Sequence, residues 1–226
     1  MARRRRRSHR PRGRARSRRP GVKPTIGLIV EGDAEYVALP QLHSRALIAG
    51  CPPMRAINLG GVGSTLTPTA IARLIAPRVI EHKVAGRMRV VICIDREDRP
   101  ECAPVLANQV RVALAAELVA RGYSDELVAL VIADRAFEAW LLADARGLHA
   151  RGLLLRRPSF HSFEGELGRE RKKGVVELTT LLGRQYGKTA DGPRLFRGLA
   201  FAVARADAGG GYGSRSLDKL LRELGV

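Results

Sequence analysis

Residues 87–95 read RMRVVICID, the clearest strand pattern in this chain of 226 residues. The run is apolar, rich in β-branched residues and followed by a charged turn, which together predict a buried β-strand. Apolar runs at 25–32 (TIGLIVEG), 55–59 (RAINL) and 127–134 (LVALVIAD) predict three more strands, with helical patterns between them. This alternation predicts an α/β fold: a mostly parallel four-stranded sheet flanked by helices.

The helices of the sheet domain are expected at 33–49, 67–85, 102–121 and 136–148. Pro40 and Pro77 fall inside the first two, so we expect a kink at Pro40 and a kink or a break at Pro77. Shorter helical patterns without strands follow. The chain therefore divides into an arginine-rich tail (1–23), a sheet domain (24–149) and a helical C-terminal extension packed on it (150–226).

The chain is strongly basic, with 40 Lys and Arg against 22 Asp and Glu and a formal net charge of +18. Residues 1–20 contain eleven arginines and no acid. Such a run repels itself and buries no apolar surface, so we expect a disordered tail. Two interpretations of the tail stay open: it attracts nucleic acid, since neutralised phosphates release counterions, or it is simply solvated. The basic remainder also indicates a polyanionic partner.

Composition also bears on the location of the protein. No apolar run approaches the roughly 18 residues that a membrane helix needs, so no membrane association is expected. The three cysteines are widely spaced, and the histidines do not pair closely with them. This argues against a disulfide framework or a zinc site and favours a reducing cytoplasm.

Acidic residues follow three of the predicted strands, although acids are the minority charge. They are Glu31, then Asp95 with Glu97 and Asp98, then Asp134 with Glu138 one helical turn later. Because the carboxyl ends of parallel strands meet at one edge of a sheet, we expect these side chains to gather there. Hard oxygen ligands of this kind suit Mg²⁺ or Mn²⁺, which can activate water against a phosphodiester. The competing interpretation is a helix-capping Asp33, a dipole-complementing Glu35 and an ordinary solvated loop at 95–101.

The same residues carry a resemblance. A Glu-Gly turn after the first strand and an Asp-x-acid turn after the third resemble the TOPRIM fold, and IVEGDAE (29–35) is similar to the opening of its nuclease branches. FEAWLLAD (137–144), YGKTADG (186–192) and ARADAGGGYGSRSLDKLL (204–221) follow the order seen in a bacterial family, domain of unknown function 4276. That family is TOPRIM-like and related to RloB-type and OLD-family nucleases. The likeness covers about residues 25–224 and implies a nuclease that works with a partner ATPase in anti-phage defence.

The resemblance also implies roles for single residues. Glu31 matches the glutamate that binds metal or acts as general base, and Asp95 matches the first acid of an Asp-x-Asp pair. The second acid of that pair is replaced by Glu97, with Asp98 beside it, and which of the two ligates the metal stays open.

Glu35 and Glu138 match positions of the narrower family whose roles are not established. Asp134 lies four residues before Glu138, and like charges at this spacing destabilise a helix, so Arg135 or a metal should offset them. We therefore expect Glu35, Asp134 and Glu138 to lie beside the metal ligands or to be ligands themselves.

Basic residues near the predicted site are candidates for phosphate binding. The resemblance places Lys188 at the site, where it could hold the scissile phosphate or stabilise developing charge. For Arg205 and Arg215, phosphate contact and plain solvation both stay open. Tyr186 and Tyr212 could be nucleophiles as in topoisomerases, but no second domain for strand passage is evident.

GGVGST (60–65) lacks the lysine of a phosphate-binding P-loop, so a turn with Ser64, Thr65 or Thr67 as helix N-cap is the better interpretation. The sequence thus favours a metal-dependent nuclease acting on DNA or RNA. The alternative is a non-catalytic nucleic-acid-binding module whose TOPRIM site has decayed.

Overall fold

The computed structural model describes residues 24–160, 173–204 and 213–226. The predicted tail, Arg205 and Tyr212 lie outside these ranges. The described residues form four strands: β1 (Ile26–Val30), β2 (Met54–Asn58), β3 (Arg89–Asp95) and β4 (Val128–Ala133). All three strand pairings are parallel and the strand order is β2-β1-β3-β4. The predicted α/β fold is therefore confirmed, and it is consistent with a TOPRIM-like arrangement.

The register of the central strands positions the acids. Val30, the last residue of β1, lies opposite Cys93 of β3. Glu31 follows directly and is thus nearly level with Asp95, which ends β3. The sequence separation of these two acids is bridged by the pairing of two neighbouring strands.

Ten helices are described: α1 (Asp33–Ala38), α2 (Gln41–Ser44), α3 (Pro68–Val84), α4 (Ala103–Val119), α5 (Phe137–Leu142), α6 (Ala145–Ala150), α7 (Gly174–Leu182), α8 (Lys188–Arg197), α9 (Phe201–Ala204) and α10 (Arg215–Glu223). Pro40 separates α1 from α2. By contrast, α3 continues through Pro77 without a break, because Pro77 and Arg73 lie on the exposed face, where the Arg73 carbonyl can turn to water. The helix expected at 136–148 is divided at Asp144, whose backbone is not helical.

Each face of the sheet has its own hydrophobic core. Side chains such as Ile29, Ile92 and Ile132 point to one face and pack with α3 and α4. The opposite face of the same strands is covered by α1, α5 and the helices that follow residue 173. Both faces are thus buried, as the uninterrupted apolar strands predict.

The helices after residue 173 are part of the fold. Leu178, Phe196 and Leu220 are fully buried in the core that also contains Leu28 and Val131 of the sheet. Among the described helices, none combines the length and apolarity required to cross a membrane.

Candidate active site

A pocket of about 310 Å³ lies at the carboxyl ends of β1 and β3. It is bounded by the first turns of α1, α5 and α8 and by the loop after β2. Its lining includes six acidic side chains, of Glu31, Asp33, Glu35, Asp95, Glu97 and Glu138. Lys188, at the start of α8, is the one basic side chain among the described residues of the lining. We refer to this site as the acid pocket.

Glu31 is buried, with 7% of its surface exposed, and both of its carboxylate oxygens are hydrogen-bonded. Val62 N–H donates to Oε1 at 2.8 Å, and Asp95 N–H donates to Oε2 at 2.9 Å. Burial raises the pKa of Glu31, against the effect of these two N–H groups. Glu31 thus joins β1 to the end of β3 and to the loop after β2, and it also lines the pocket.

Glu35 and Glu138 are buried on the other side of the pocket, at 4% and 3% exposure. Burial, with repulsion from Glu138 and Glu31, raises the pKa of Glu35 from 4.5 to about 7. Burial also raises the pKa of Glu138, and the attraction of Lys188 opposes that rise. The pocket therefore holds more buried negative charge than its single lysine can balance.

The pKa of Asp95 is affected by the same negatively charged neighbours. Burial and repulsion from Glu35 and Glu31 raise its pKa well above the ordinary value. Such mutual repulsion is what a bound cation would relieve.

The turn after β3 separates Glu97 from Asp98. Glu97 has a left-handed backbone, with φ of 52°, and its N–H donates to Arg135 O at 2.7 Å. Glu97 lines the acid pocket. Asp98 does not: its carboxylate is 63% exposed and pairs with Arg135 at 3.3 Å and Lys173 at 3.9 Å. Of the two candidates for the second acid, the structure places Glu97 at the pocket.

Two other predicted residues lie elsewhere. Asp134 Oδ1 accepts from Arg96 Nε at 2.8 Å, and Asp134 lines a separate cavity of about 790 Å³ beside β4. Arg215 lines that second cavity too. The acids Asp134 and Glu138, four residues apart, thus face different sites, and Arg96 and Lys188 are their respective cations. Arg135, expected to offset them, pairs with Asp98 instead.

Sequence reasoning missed several lining residues. Asn58, at the end of β2, donates to Asp33 Oδ1 at 2.7 Å, and Gly60 and Gly61 follow it in the lining. These glycines have φ of 76° and 109°, and this path brings Val62 N–H to Glu31. The available signal was the position of GGVGST directly after a strand. Thr67 is confirmed as the N-cap of α3, since its Oγ1 accepts from Ala70 N–H at 3.2 Å.

Tyr186 is buried near Glu138 and Glu35. Burial and these negative neighbours raise the pKa of its hydroxyl far above the usual value. A phenolate nucleophile is therefore disfavoured at this position.

The chemistry of the acid pocket fits a hard divalent cation, because its donors are carboxylate oxygens that repel one another. In the described residues, no three side chains of His, Cys, Asp or Glu are already gathered closely enough to hold a metal ion together.

Comparison with known proteins adds no assignment: no family model matches the chain, and neither curated proteins nor solved structures gave a match.

Proposed function

We propose that this protein is a metal-dependent nuclease that hydrolyses phosphodiesters of DNA or RNA. The observation that carries the proposal is the acid pocket, in which the buried carboxylates of Glu31, Glu35 and Glu138 and the half-buried Asp95 share one lining with a single lysine. Burying like charges together is costly unless a cation compensates. A site so built is better explained by a cation that it binds than by stability.

Glu31, Asp95 and Glu97 are the residues that would hold Mg²⁺ or Mn²⁺, with Glu35 and Glu138 beside them. A bound divalent ion would supply Lewis-acid stabilisation of a phosphodiester and lower the pKa of a water molecule. Lys188 would hold a phosphate oxygen at the mouth of the pocket. Asp98, Asp134 and Arg215 have no part in this proposal, because they lie outside the pocket lining.

The charge of the whole chain supports a polyanionic substrate. Its formal net charge is +18, although the candidate catalytic pocket is acidic. An acid pocket on a basic protein suits a metal that meets phosphate while the surrounding surface attracts the nucleic-acid backbone. The partner ATPase and a role in anti-phage defence rest on the family resemblance alone.

One observation favours a second function, a non-catalytic nucleic-acid-binding module. Both oxygens of Glu31 already accept backbone N–H bonds, and in the described residues the carboxylates are not gathered for a metal. Glu31 can then be explained as a residue that holds the loop after β2.

A nucleic-acid cleavage assay distinguishes the nuclease from the binding module. Full-length protein is incubated with supercoiled plasmid and with tRNA in Mg²⁺, Mn²⁺ or EDTA. We expect metal-dependent cleavage that falls about 100-fold or more in Asp95→Asn, because a charged ligand of the pocket is lost. Asp98→Asn, an exposed acid three residues away, is the matched control and should keep activity near that of the wild type.

Calorimetry with Mn²⁺ completes the test. The wild type and Asp98→Asn should bind the ion, and Asp95→Asn should bind it much more weakly. Cleavage that survives Asp95→Asn would contradict the nuclease proposal. Salt-sensitive binding of nucleic acid in EDTA, equal in wild type and Asp95→Asn and without cleavage in any metal, would instead support the binding module.

A further inference from the structure

On its outer edge, β4 carries main-chain groups that pair with no other strand of the described residues. Leu127 O accepts from Val90 N–H and Ala133 O from Arg96 N–H, so the odd-numbered residues of this strand face β3. N–H and C=O of one residue point to the same side of a strand, and the even-numbered residues therefore face outward. The outward N–H groups of Val128 and Asp134 donate to Asp125 O and Ser216 Oγ.

Leu130 and Ile132 lie between those two positions. In the described part of the chain, β4 pairs with β3 alone, and no strand lies on its other side. Leu130 and Ile132 are 8% and 4% exposed, and both line a cavity along this edge. Their outward N–H and C=O groups thus form a short edge that a segment lying in that cavity can pair with.

A groove runs along this edge, and it is the cavity of about 790 Å³ that contains Asp134 and Arg215. We call it the β4 groove. Its floor is the edge strand itself, and α4 and α10 form its two walls. The cavity is large enough for several residues of an extended peptide, and its apolar floor suits their side chains.

The rim of the β4 groove is basic. Five basic side chains line it, of Arg89, Arg96, Arg111, Arg215 and Lys219, against the two acids Asp134 and Glu223. The acids are already paired, Asp134 with Arg96 and Glu223 with both Arg89 and Lys219. Basic side chains thus outnumber acidic ones in the described lining, and an acidic partner would complement this charge.

We propose that the β4 groove binds an extended acidic segment of a partner protein, which adds to the sheet as a strand beside β4. Main-chain hydrogen bonds to Leu130 and Ile132 supply the pairing, and the basic rim selects acidic side chains. Residues 1–20 of the chain are excluded as the occupant by their eleven arginines. A second copy would bring the same basic rim against itself. Nucleic acid is disfavoured because the described lining contains no aromatic side chain for a base to stack on.

Fluorescence polarisation with the full chain tests this proposal. The probe is a labelled peptide of about eight residues that alternates Glu and Val, since that length spans the edge of β4. We expect it to bind, and its counterpart with Lys in place of Glu not to bind. The same Glu-Val peptide with a methylated backbone should bind about tenfold or more weakly, because it cannot pair as a strand.

Matched variants locate the site. Arg111→Glu combined with Lys219→Glu should weaken the Glu-Val peptide about tenfold or more. Arg78→Glu, an exposed arginine on α3, should leave its affinity unchanged, and melting curves establish that each variant is folded. Hydrogen exchange at the Leu130 and Ile132 amides should slow when the peptide is present.

The proposal would be overturned if the Glu-Val peptide did not bind, or if its methylated form bound equally well. It would also be overturned if a single-stranded oligonucleotide bound more tightly than the peptide and the double variant abolished that binding. The inference does not depend on the acid pocket. Asp95→Asn should bind the peptide as the wild type does, whatever its nuclease activity, and a loss in that variant would place the peptide elsewhere.

Discussion

Glu31 organises the acid pocket through hydrogen bonds as well as charge. Its two oxygens accept from Val62 and Asp95, residues on separate segments that meet only in the folded chain. In Glu31→Gln, the amide oxygen could accept from only one of these two backbone N–H groups. The side-chain NH₂ group would face the other N–H, and two donors cannot form a hydrogen bond. Removing Glu31 therefore alters the shape of the pocket, which is why Asp95 is the cleaner position for testing catalysis.

Glu35 gives the pocket a measurable pH dependence in the absence of metal. Burial, with repulsion from Glu138 and Glu31, raises the pKa of Glu35 in the folded state from its ordinary value of 4.5 to about 7. Between these pH values the folded state binds more protons, so the free energy of unfolding falls as pH rises. Each tenfold change in proton affinity is worth about 1.4 kcal/mol, so ionising Glu35 in the fold costs up to about 3 kcal/mol.

We therefore expect Glu35→Gln, in EDTA, to stabilise the protein above pH 7 and to change its stability little near pH 4.5. Urea unfolding across this range measures the effect. Glu126→Gln, on an exposed surface position, should follow the wild-type curve. A Glu35→Gln variant with the same pH slope as the wild type would show that Glu35 is not buried among like charges.

Two short hydrogen bonds connect α10 with α5 and β4. Ser216 Oγ accepts from Trp140 Nε1–H at 2.9 Å and from Asp134 N–H at 3.3 Å. Trp140 is fully buried, and Ser216 is nearly so. The Ser216 hydroxyl thus adds two hydrogen bonds to the apolar packing and the Arg89–Glu223 ion pair that join α10 to the sheet.

We expect Ser216→Ala to lower the free energy of unfolding by about 1–3 kcal/mol, because it leaves two buried N–H donors without an acceptor. Trp140 is the only tryptophan of the chain, so its fluorescence reports this environment directly. Ser64→Ala, at an exposed position, should change neither stability nor the emission spectrum. Ser216→Ala with wild-type stability would mean that water replaces the hydroxyl.

At the scale of elements, local patterns predicted which segments are helices better than where those helices end. Pro77 was expected to kink or break α3, and the helix continues through it without a break, with Pro77 and Arg73 both at exposed positions. Asp144 divides α5 from α6 because its carboxylate is used by Ala200 N–H at 2.8 Å and by Arg151. Ala200 lies more than fifty residues from Asp144, and local periodicity gives no sign of this contact.

The whole molecule combines an acid pocket with an excess of positive charge. Residues 1–20 contribute +11 of the formal +18, which leaves +7 for the rest. If the tail contacts nucleic acid, replacing Arg3 to Arg7 by glutamine should weaken binding and reduce its salt dependence. Each neutralised phosphate contributes about 0.9 to the slope of log K against log salt, so the slope should fall by up to about 4.

Filter binding of labelled DNA over a series of salt concentrations measures this slope. Binding of the Glu-Val peptide to the β4 groove serves as the control and should be unchanged. An unchanged slope for DNA would show that the arginines are only solvated.

The sequence by itself determined the alternation of apolar strands and helices. Uninterrupted apolar strands that alternate with helices favour a parallel sheet covered on both faces, so the sheet and the edge where Glu31 and Asp95 meet could be predicted from local composition. Lys188 was expected at the site from the resemblance, and Glu138 from its position one helical turn after the end of β4. The structure shows both in the lining of the acid pocket, together with Glu35.

Only the tertiary structure decided where the remaining side chains point. Asp98 and Asp134 lie within three residues of a strand end, as Glu97 does, but they pair with Arg135 and Arg96 and lie outside the pocket lining. The direction of a side chain in a turn depends on backbone angles and on partners from distant segments. The β4 groove likewise exists only because α4 and α10, more than ninety residues apart, pack beside the same strand and leave its edge open between them.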